Sequence, residues 1–253
     1  VRIRVLGAHG GSTPRHRQTS FLLNDALCLD AGAVTDALSL EEQERVRAVL
    51  VTHSHMDHVA SLPFLVENVF GRTRGPLEIL APDDVLDALR THLFNDALWP
   101  DFSRIEGQAG PSVTFRAVPV GAPFSADGLN AIAVKVSHVV PTYGYVLADE
   151  RAAVVFSGDT GPTDAIWSTA RRTPNLKALF VECSFPSDMQ PIATVSCHLT
   201  PTTLRAEMAK FPKDVPVYLY HMKPPALDRL SAEIAAIGDS RLVVLADGDD
   251  LEF

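Results

Sequence analysis

The chain has 253 residues, 46% hydrophobic and 21% charged, which is the balance of a folded globular protein rather than a disordered tail. Its formal net charge of −9, with no run of Lys or Arg, disfavours a large polyanionic partner such as tRNA, because phosphate backbones are held by clustered positive charge. No apolar stretch approaches the roughly 18–20 residues of a membrane span, and three cysteines with no C-x-x-C indicate neither a disulfide framework nor a zinc finger.

In chain order, short runs rich in Val, Ile, Leu and aromatics alternate with amphipathic segments. "RIRVL", "SFLL" and "ALCLD" read as opening strands, and Ser39 caps a helix over "LEEQERV". The strand "AVLVT", a helix near Ala60, the strand "LEILA" and a helix after Pro82 follow. "VTFRAV", "AIAVKV", "YGYVLA" and "AVVFSGD" are predicted strands. A helix from Thr163, the strand "ALFVEC", a helix from Thr200 with Pro201 in its first turn, "VYLYH", a helix near Leu227 and "RLVVLA" complete the pattern. Gly and Pro are densest over 107–111 and 118–128, which read as loops. With no low-complexity linker and no fixed-period repeat, residues 1–253 form one predicted α/β domain. Scarce cysteine favours a cytoplasmic setting, or a periplasmic one if a leader preceded Val1.

The chemistry-bearing residues fall at strand ends. "AVLVT" runs into His53, "AVKVS" into His138, "AVVFSG" into Asp159 and "VYLY" into His221. In layered α/β folds, residues that follow several strands converge at one sheet edge, where sites are built. The segment "HSHMDH" places His53, His55, Asp57 and His58 within six positions. A turn after a buried strand can splay these side chains toward a common centre. His53 and His55 could serve one metal, and Asp57 and His58 a second. Imidazole and carboxylate suit zinc, manganese or iron, and no thiolate narrows the choice. A metal-free surface cluster is the competing reading, and Asp159 alone could be an ordinary turn aspartate.

The H-x-H-x-D-H string, with "FSGDTG" and the late histidines, resembles the metallo-β-lactamase superfamily. That resemblance implies an αββα four-layer sandwich holding two divalent metal ions, with zinc first and manganese or iron as alternatives. It implies His53, His55 and His138 as ligands of the first metal, Asp57, His58 and His221 as ligands of the second, and Asp159 between them. "HSHMDHVASLPFLV", "LRTHLFNDALWPDFS", "SCHLTP" and "YHMKP" further resemble the class II cyclic-nucleotide phosphodiesterases, although Ser61 stands where that signature often has Gly. From this resemblance Glu182 and His198 form a proton-donating pair, Asp57 counts with the catalytic residues as well as the ligands, and Asn95 and Trp99 border the nucleotide. Without it, His198 is a helix-entry residue and Glu182 half of a salt bridge.

The implied reaction is hydrolysis of a small-molecule 3′,5′-cyclic nucleotide to the 5′-monophosphate by metal-activated hydroxide, with a His general acid. A homodimer is compatible with the sequence, and neither a membrane nor a large nucleic acid is an expected partner. A tRNA 3′-processing endonuclease would use the same residues but reaches its substrate with a basic Gly/Pro-rich arm that is not apparent here. The non-enzymatic alternative is a nucleotide-binding module with a decayed site, yet no ligand is lost. "GAHGGS" has no helix behind it, so it is no nucleotide fingerprint and is read as a wall of the site. His9 and His16 are read as loop residues, His92 as surface, and Phe94, Trp99 and Phe102 as core.

Overall fold

The computed structural model describes residues 1–73, 75–107 and 110–253. Its first half contains β1 (Arg2–Gly7), β2 (Ser20–Leu23), β3 (Leu27–Leu29), β4 (Ala48–Leu50), β5 (Leu77–Ala81), the short pair β6 (Glu106–Gly107) and β7 (Gly110–Pro111), and β8 (Val113–Ala117). Helices α1 (Val34–Ala37), α2 (Leu40–Gln43), α3 (Met56–Val59), α4 (Leu62–Val69) and α5 (Asp83–His92) fall between them. The second half contains β9 (Pro123–Ala126), β10 (Leu129–Lys135), β11 (Tyr143–Ala148), β12 (Ala153–Phe156), β13 (Leu176–Glu182), β14 (Val217–Tyr220), β15 (Leu242–Val244) and β16 (Asp250–Glu252). Its helices are α6 (Ala165–Ala170), α7 (Gln190–Val195), α8 (Pro201–Glu207) and α9 (Leu227–Ile237).

Two seven-stranded sheets result, in the orders β16-β1-β2-β3-β4-β5-β8 and β15-β14-β13-β12-β11-β10-β9. Each is antiparallel at one end and parallel at the other, since β3, β4, β5 and β8 run together, as do β12, β13, β14 and β15. The inner parallel strands, such as β4 and β12, read as continuous apolar runs because both of their faces are covered. Between the sheets, Phe21 of β2 meets Phe156 of β12 at 5.0 Å and Tyr220 of β14 at 5.3 Å between ring centroids. Each aromatic ring fully buried there contributes about 2–3 kcal/mol. α4 packs Leu62, Leu65, Val66 and Val69 into the core of the first sheet, and the second sheet's other face is closed by Ile166, Trp167, Leu204 and Leu230. This is the αββα sandwich expected.

Local signals act as read. Ser39 and Glu42 form a reciprocal capping box on α2, and Thr200 caps α8 ahead of Pro201. One correction concerns 118–128, read as a loop: Pro123–Ala126 is an edge strand paired with β10. Its N-terminal proline is tolerated because an edge strand leaves one row of ladder groups unused. β16 was also not anticipated, since Asp250 and Glu252 are exposed and only Leu251 packs inward. The other predicted loop, 107–111, contains Gly107 and Gly110–Pro111 of the β6–β7 pair, and its residues 108 and 109 lie outside the described ones. Among the described residues, no helix is long and apolar enough to cross a membrane.

Candidate metal centre

The carboxyl ends of the parallel strands deliver the site. β4 runs through Val51 and Thr52 to His53, β12 through Ser157 and Gly158 to Asp159, β13 ends on Glu182, and β14 is followed by His221. Tyr145 of β11 donates its hydroxyl to the Val51 carbonyl (2.8 Å), and Tyr143 donates its backbone N–H to the Thr52 carbonyl (3.0 Å), tying the first sheet's turn to the second sheet. His55 precedes α3, which carries Asp57 and His58 on its single turn. Two glycines allow the close approach. A Cβ on Gly10 would lie 2.6 Å from Cε1 of His221, and one on Gly32 would lie 2.2 Å from the Asp57 carbonyl oxygen. "GAHGGS" is therefore a wall of the site, as read, with Gly10 packed against the His221 ring.

All seven predicted ligands come together. Ligand atoms of His53, His55, His138 and Asp159 lie within 4.8 Å of one another, as do those of Asp57, His58 and His221. Asp159 joins the halves: its Oδ2 is 3.2 Å from Nε2 of His58 and 3.2 Å from Nε2 of His221. A third set at the same spacing contains Asp159, His198 and His221. His9 and His16 belong to none of these sets; His9 pairs with Asp247 (3.1 Å) and His16 with the Thr13 hydroxyl (2.7 Å). His92 is exposed at the end of α5.

The rings of His53, His58, His138 and His221 each have Nδ1 tied back and Nε2 left for the centre. Thr52 donates its hydroxyl to Asp30 (2.8 Å), so toward His53 it can only accept, from Nδ1–H at 3.0 Å. His58 donates Nδ1–H to Asp30 (2.7 Å), and His138 donates Nδ1–H to the Cys197 carbonyl (3.1 Å). Ser184 donates to Oε2 of Glu182 (2.8 Å) and accepts Nδ1–H of His221 (2.9 Å). These tautomers leave lone pairs facing the centre, with His55 Nδ1 and His138 Nε2 only 3.2 Å apart. Nε2 of His53, His58 and His221 and Oδ1 of Asp159 are buried with no hydrogen-bond partner among the described residues. Buried polar atoms are normally satisfied. Four orphans in one cluster, all imidazole or carboxylate, fit divalent metal ions of the kind such donors hold.

The electrostatics point the same way. Burial, then the neighbouring His58 charge, pushes the His53 imidazole well below its ordinary range. Burial would lower His58 too, but the carboxylates of Asp159 and Asp30 outweigh it and raise it well above. Burial works to raise Asp159, yet the positive character of His221 and His58 holds it well below the usual carboxylate range. A charged carboxylate so deeply buried needs cationic company.

Beside this cluster, His198 donates Nδ1–H to Oε1 of Glu182 (2.8 Å), and its ring stacks 5.3 Å from that of His221. Glu182 is fully buried, and its Oε1 also accepts from the Thr160 N–H (3.0 Å) and the Leu199 N–H (3.3 Å). Burial opposes protonation of His198, but the Glu182 carboxylate wins and raises its pKa.

Sequence reasoning missed Asp30, Thr52 and Ser184. A signal for Asp30 exists: "DAG" follows β3 as "DTG" follows β12, so Asp30 and Asp159 occupy matching strand ends in the two sheets. Removing a partner that orients a metal-ligating imidazole typically costs 10–100-fold in metal affinity. Ser184→Ala, which frees the His221 ring, is therefore expected to weaken metal retention by about that factor, read by competition with a chelator.

The beta-lactamase superfamily domain matches residues 27–222. The chain belongs to the metallo-β-lactamase superfamily. Its relatives include a probable 3′,5′-cyclic-nucleotide phosphodiesterase of Yersinia pestis, 26% identical over 87% of this chain and 77% of that one. A ribonuclease Z of Mycobacterium bovis is 29% identical over 47% of this chain and 46% of its own length. Unliganded yeast PDE1 shares the fold at a TM-score of 0.81 and 17% identity, covering 100% of this chain and 99% of the other. The chain thus has a metallo-hydrolase fold and His/Asp clusters suited to divalent metals.

Proposed function

We propose that this chain hydrolyses small 3′,5′-cyclic nucleotides to nucleoside 5′-monophosphates. The observation that carries the reading is the Glu182–His198 pair, bonded at 2.8 Å against the His/Asp cluster. A diester with an alkoxide leaving group needs a proton donor, whereas acyl transfer by the same fold has no use for that pair. Two divalent ions, zinc with manganese or iron as alternatives, held by His53, His55 and His138 on one side and Asp57, His58 and His221 on the other with Asp159 between, would supply activated water and Lewis acidity toward phosphoryl oxygens.

The chain's own groups do the rest. Glu182 holds His198 through Nδ1 and leaves Nε2 as the proton donor to the departing O3′. Asp57 counts both as a ligand and with the catalytic residues, its carboxylate held anionic by its contact with His221 although burial works to raise it. Met56, between His55 and Asp57, and Val139, next to His138, are exposed apolar side chains adjacent in sequence to the candidate ligands, which supports a substrate carrying a planar base. Trp99 packs edge-on to Phe64 at 5.0 Å. Asn95 is spent on a turn, its Oδ1 accepting from the Ala97 and Leu98 N–H groups (3.1 and 2.8 Å). The net charge of −9 and the absence of a basic arm favour a small substrate over RNA, and the phosphodiesterase-named relative aligns over 87% of the chain against 47% for the ribonuclease.

Metal-replete protein incubated with cyclic AMP and with cyclic GMP is expected to yield the 5′-monophosphate, identified by chromatography against both isomers. A predominant 3′-monophosphate would put His198 at the wrong oxygen. Efficient cleavage of precursor tRNA with poor cyclic-nucleotide turnover would establish the ribonuclease reading instead, and tight binding without conversion a binding module.

A further inference from the structure

Lys223 stands at the edge of the cluster with no part in the reaction so far. Its ammonium donates to the Gly10 carbonyl (2.7 Å) and to Oδ2 of Asp57 (3.3 Å). The same Oδ2 is 3.2 Å from Nε2 of His221, so a single oxygen separates the ammonium from a metal-facing imidazole. The chain around it is pinned as well. The Lys223 N–H donates to the Ser184 carbonyl (3.2 Å), and the Gly10 N–H donates to the Met222 carbonyl (3.2 Å), so both ends of the Lys223–Gly10 contact are anchored beside His221. The side chain is neither buried nor free, at 27% exposed beside Asp57 at 22%.

An ammonium has three N–H donors. Two are engaged here, and the third has no partner among the described residues. Charge sets what it would take. Asp30, Asp57, Asp159 and Glu182 place four carboxylates in or against the cluster. Two divalent cations would bring these to neutrality, and Lys223 together with the protonated His198 then leaves two positive charges for an anionic substrate.

We propose that Lys223 binds a non-bridging phosphate oxygen of the substrate, held for that task by Gly10 and Asp57. This rests on the phosphoester reading above and deepens it by assigning the residue that recognises the phosphate. The loop "GAHGGS" then has two functions, since Gly10 permits contact with His221 and its carbonyl fixes the lysine. A compact ammonium suits a point contact with a phosphate oxygen, whereas the broader guanidinium fork would need room beside Asp57.

The test uses metal-replete full chain with inorganic phosphate as the probe. Wild type, Lys223→Met and Lys223→Arg are compared by calorimetric phosphate titration, metal content by elemental analysis, and steady-state kinetics with cyclic AMP. A charge-assisted hydrogen bond lost from a partly exposed site weakens binding by about ten- to hundredfold. Lys223→Met is expected to lose phosphate affinity in that range and to raise KM correspondingly, with kcat changed much less and metal content kept. Lys223→Arg should recover part of both. Loss of metal in Lys223→Met, not restored in Lys223→Arg, would reduce Lys223 to a prop for Asp57 and overturn the proposal. Unchanged phosphate affinity would overturn it too. Because phosphate binding is read without turnover, wild type that binds phosphate through Lys223 but converts no cyclic nucleotide would sink the proposed substrate and leave the Lys223 assignment standing.

Discussion

Replacing His198 by alanine is expected to slow cyclic AMP hydrolysis by about 10²–10⁴-fold, the usual worth of general-acid assistance. The same variant should barely slow a nitrophenyl phosphodiester. A ribose 3′-alkoxide leaves poorly without a proton, whereas a nitrophenolate leaves unaided, so the ratio of the two losses isolates proton donation. His198 needs this discrimination because its geometry permits a second role: a ligand atom of His198 lies within 4.8 Å of ligand atoms of Asp159 and His221, the spacing of a metal set. Elemental analysis separates the roles. An acid can be removed without emptying the site, while a ligand cannot. Glu182→Gln should show the same selectivity more mildly, because an amide can still accept Nδ1–H of His198 but no longer favours its charged form. Equal losses on both substrates, or loss of metal from His198→Ala, would mean that the proton comes from elsewhere.

Most of the site was legible because its residues are chemically expensive. Three histidines and an aspartate within His53–His58 serve no core, and strand-end positions gave Asp159 and His221 a reason to converge. The inner strands were legible because both of their faces are covered, so that β4 and β12 are unbroken apolar runs. What stayed hidden was polar and cheap. Ser184 is an ordinary residue in "VECSF" until the fold sets its hydroxyl between Glu182 and His221. Thr52 and Asp30 fix two imidazole tautomers across 22 residues of sequence, a pairing that depends on β3 and β4 lying side by side. Lys223 was read as part of a motif, "YHMKP", but its partner Gly10 is 213 residues away, and no local pattern joins them. The edge strands β9 and β16 were lost for a different reason. They bury little, so period-2 hydrophobicity is faint in them, and β9 opens on a proline that reads as a loop signal.

Replacing Asp159 by alanine should have the widest effect of any single change. Its Oδ2 lies 3.2 Å from Nε2 of both His58 and His221, its Oδ1 is buried without a partner, and its side chain is 1% exposed. Wild-type protein purified without chelator is expected to hold close to two equivalents of transition metal, while Asp159→Ala should fall below one. Affinity should drop by more than the 10–100-fold typical of losing an outer partner, because an anionic ligand is removed outright. His58→Ala, by contrast, should mainly empty one position. Activity alone could not distinguish a lost metal from a misfolded chain, so thermal unfolding supplies the second readout. A ligand at 100 times its Kd stabilises the folded state by about 2.7 kcal/mol, so added metal should raise the Tm of stripped wild type clearly and that of Asp159→Ala little. If Asp159→Ala keeps two equivalents and the full metal-dependent rise in Tm, Asp159 does not join the two sets, and its assignment as their shared ligand is wrong.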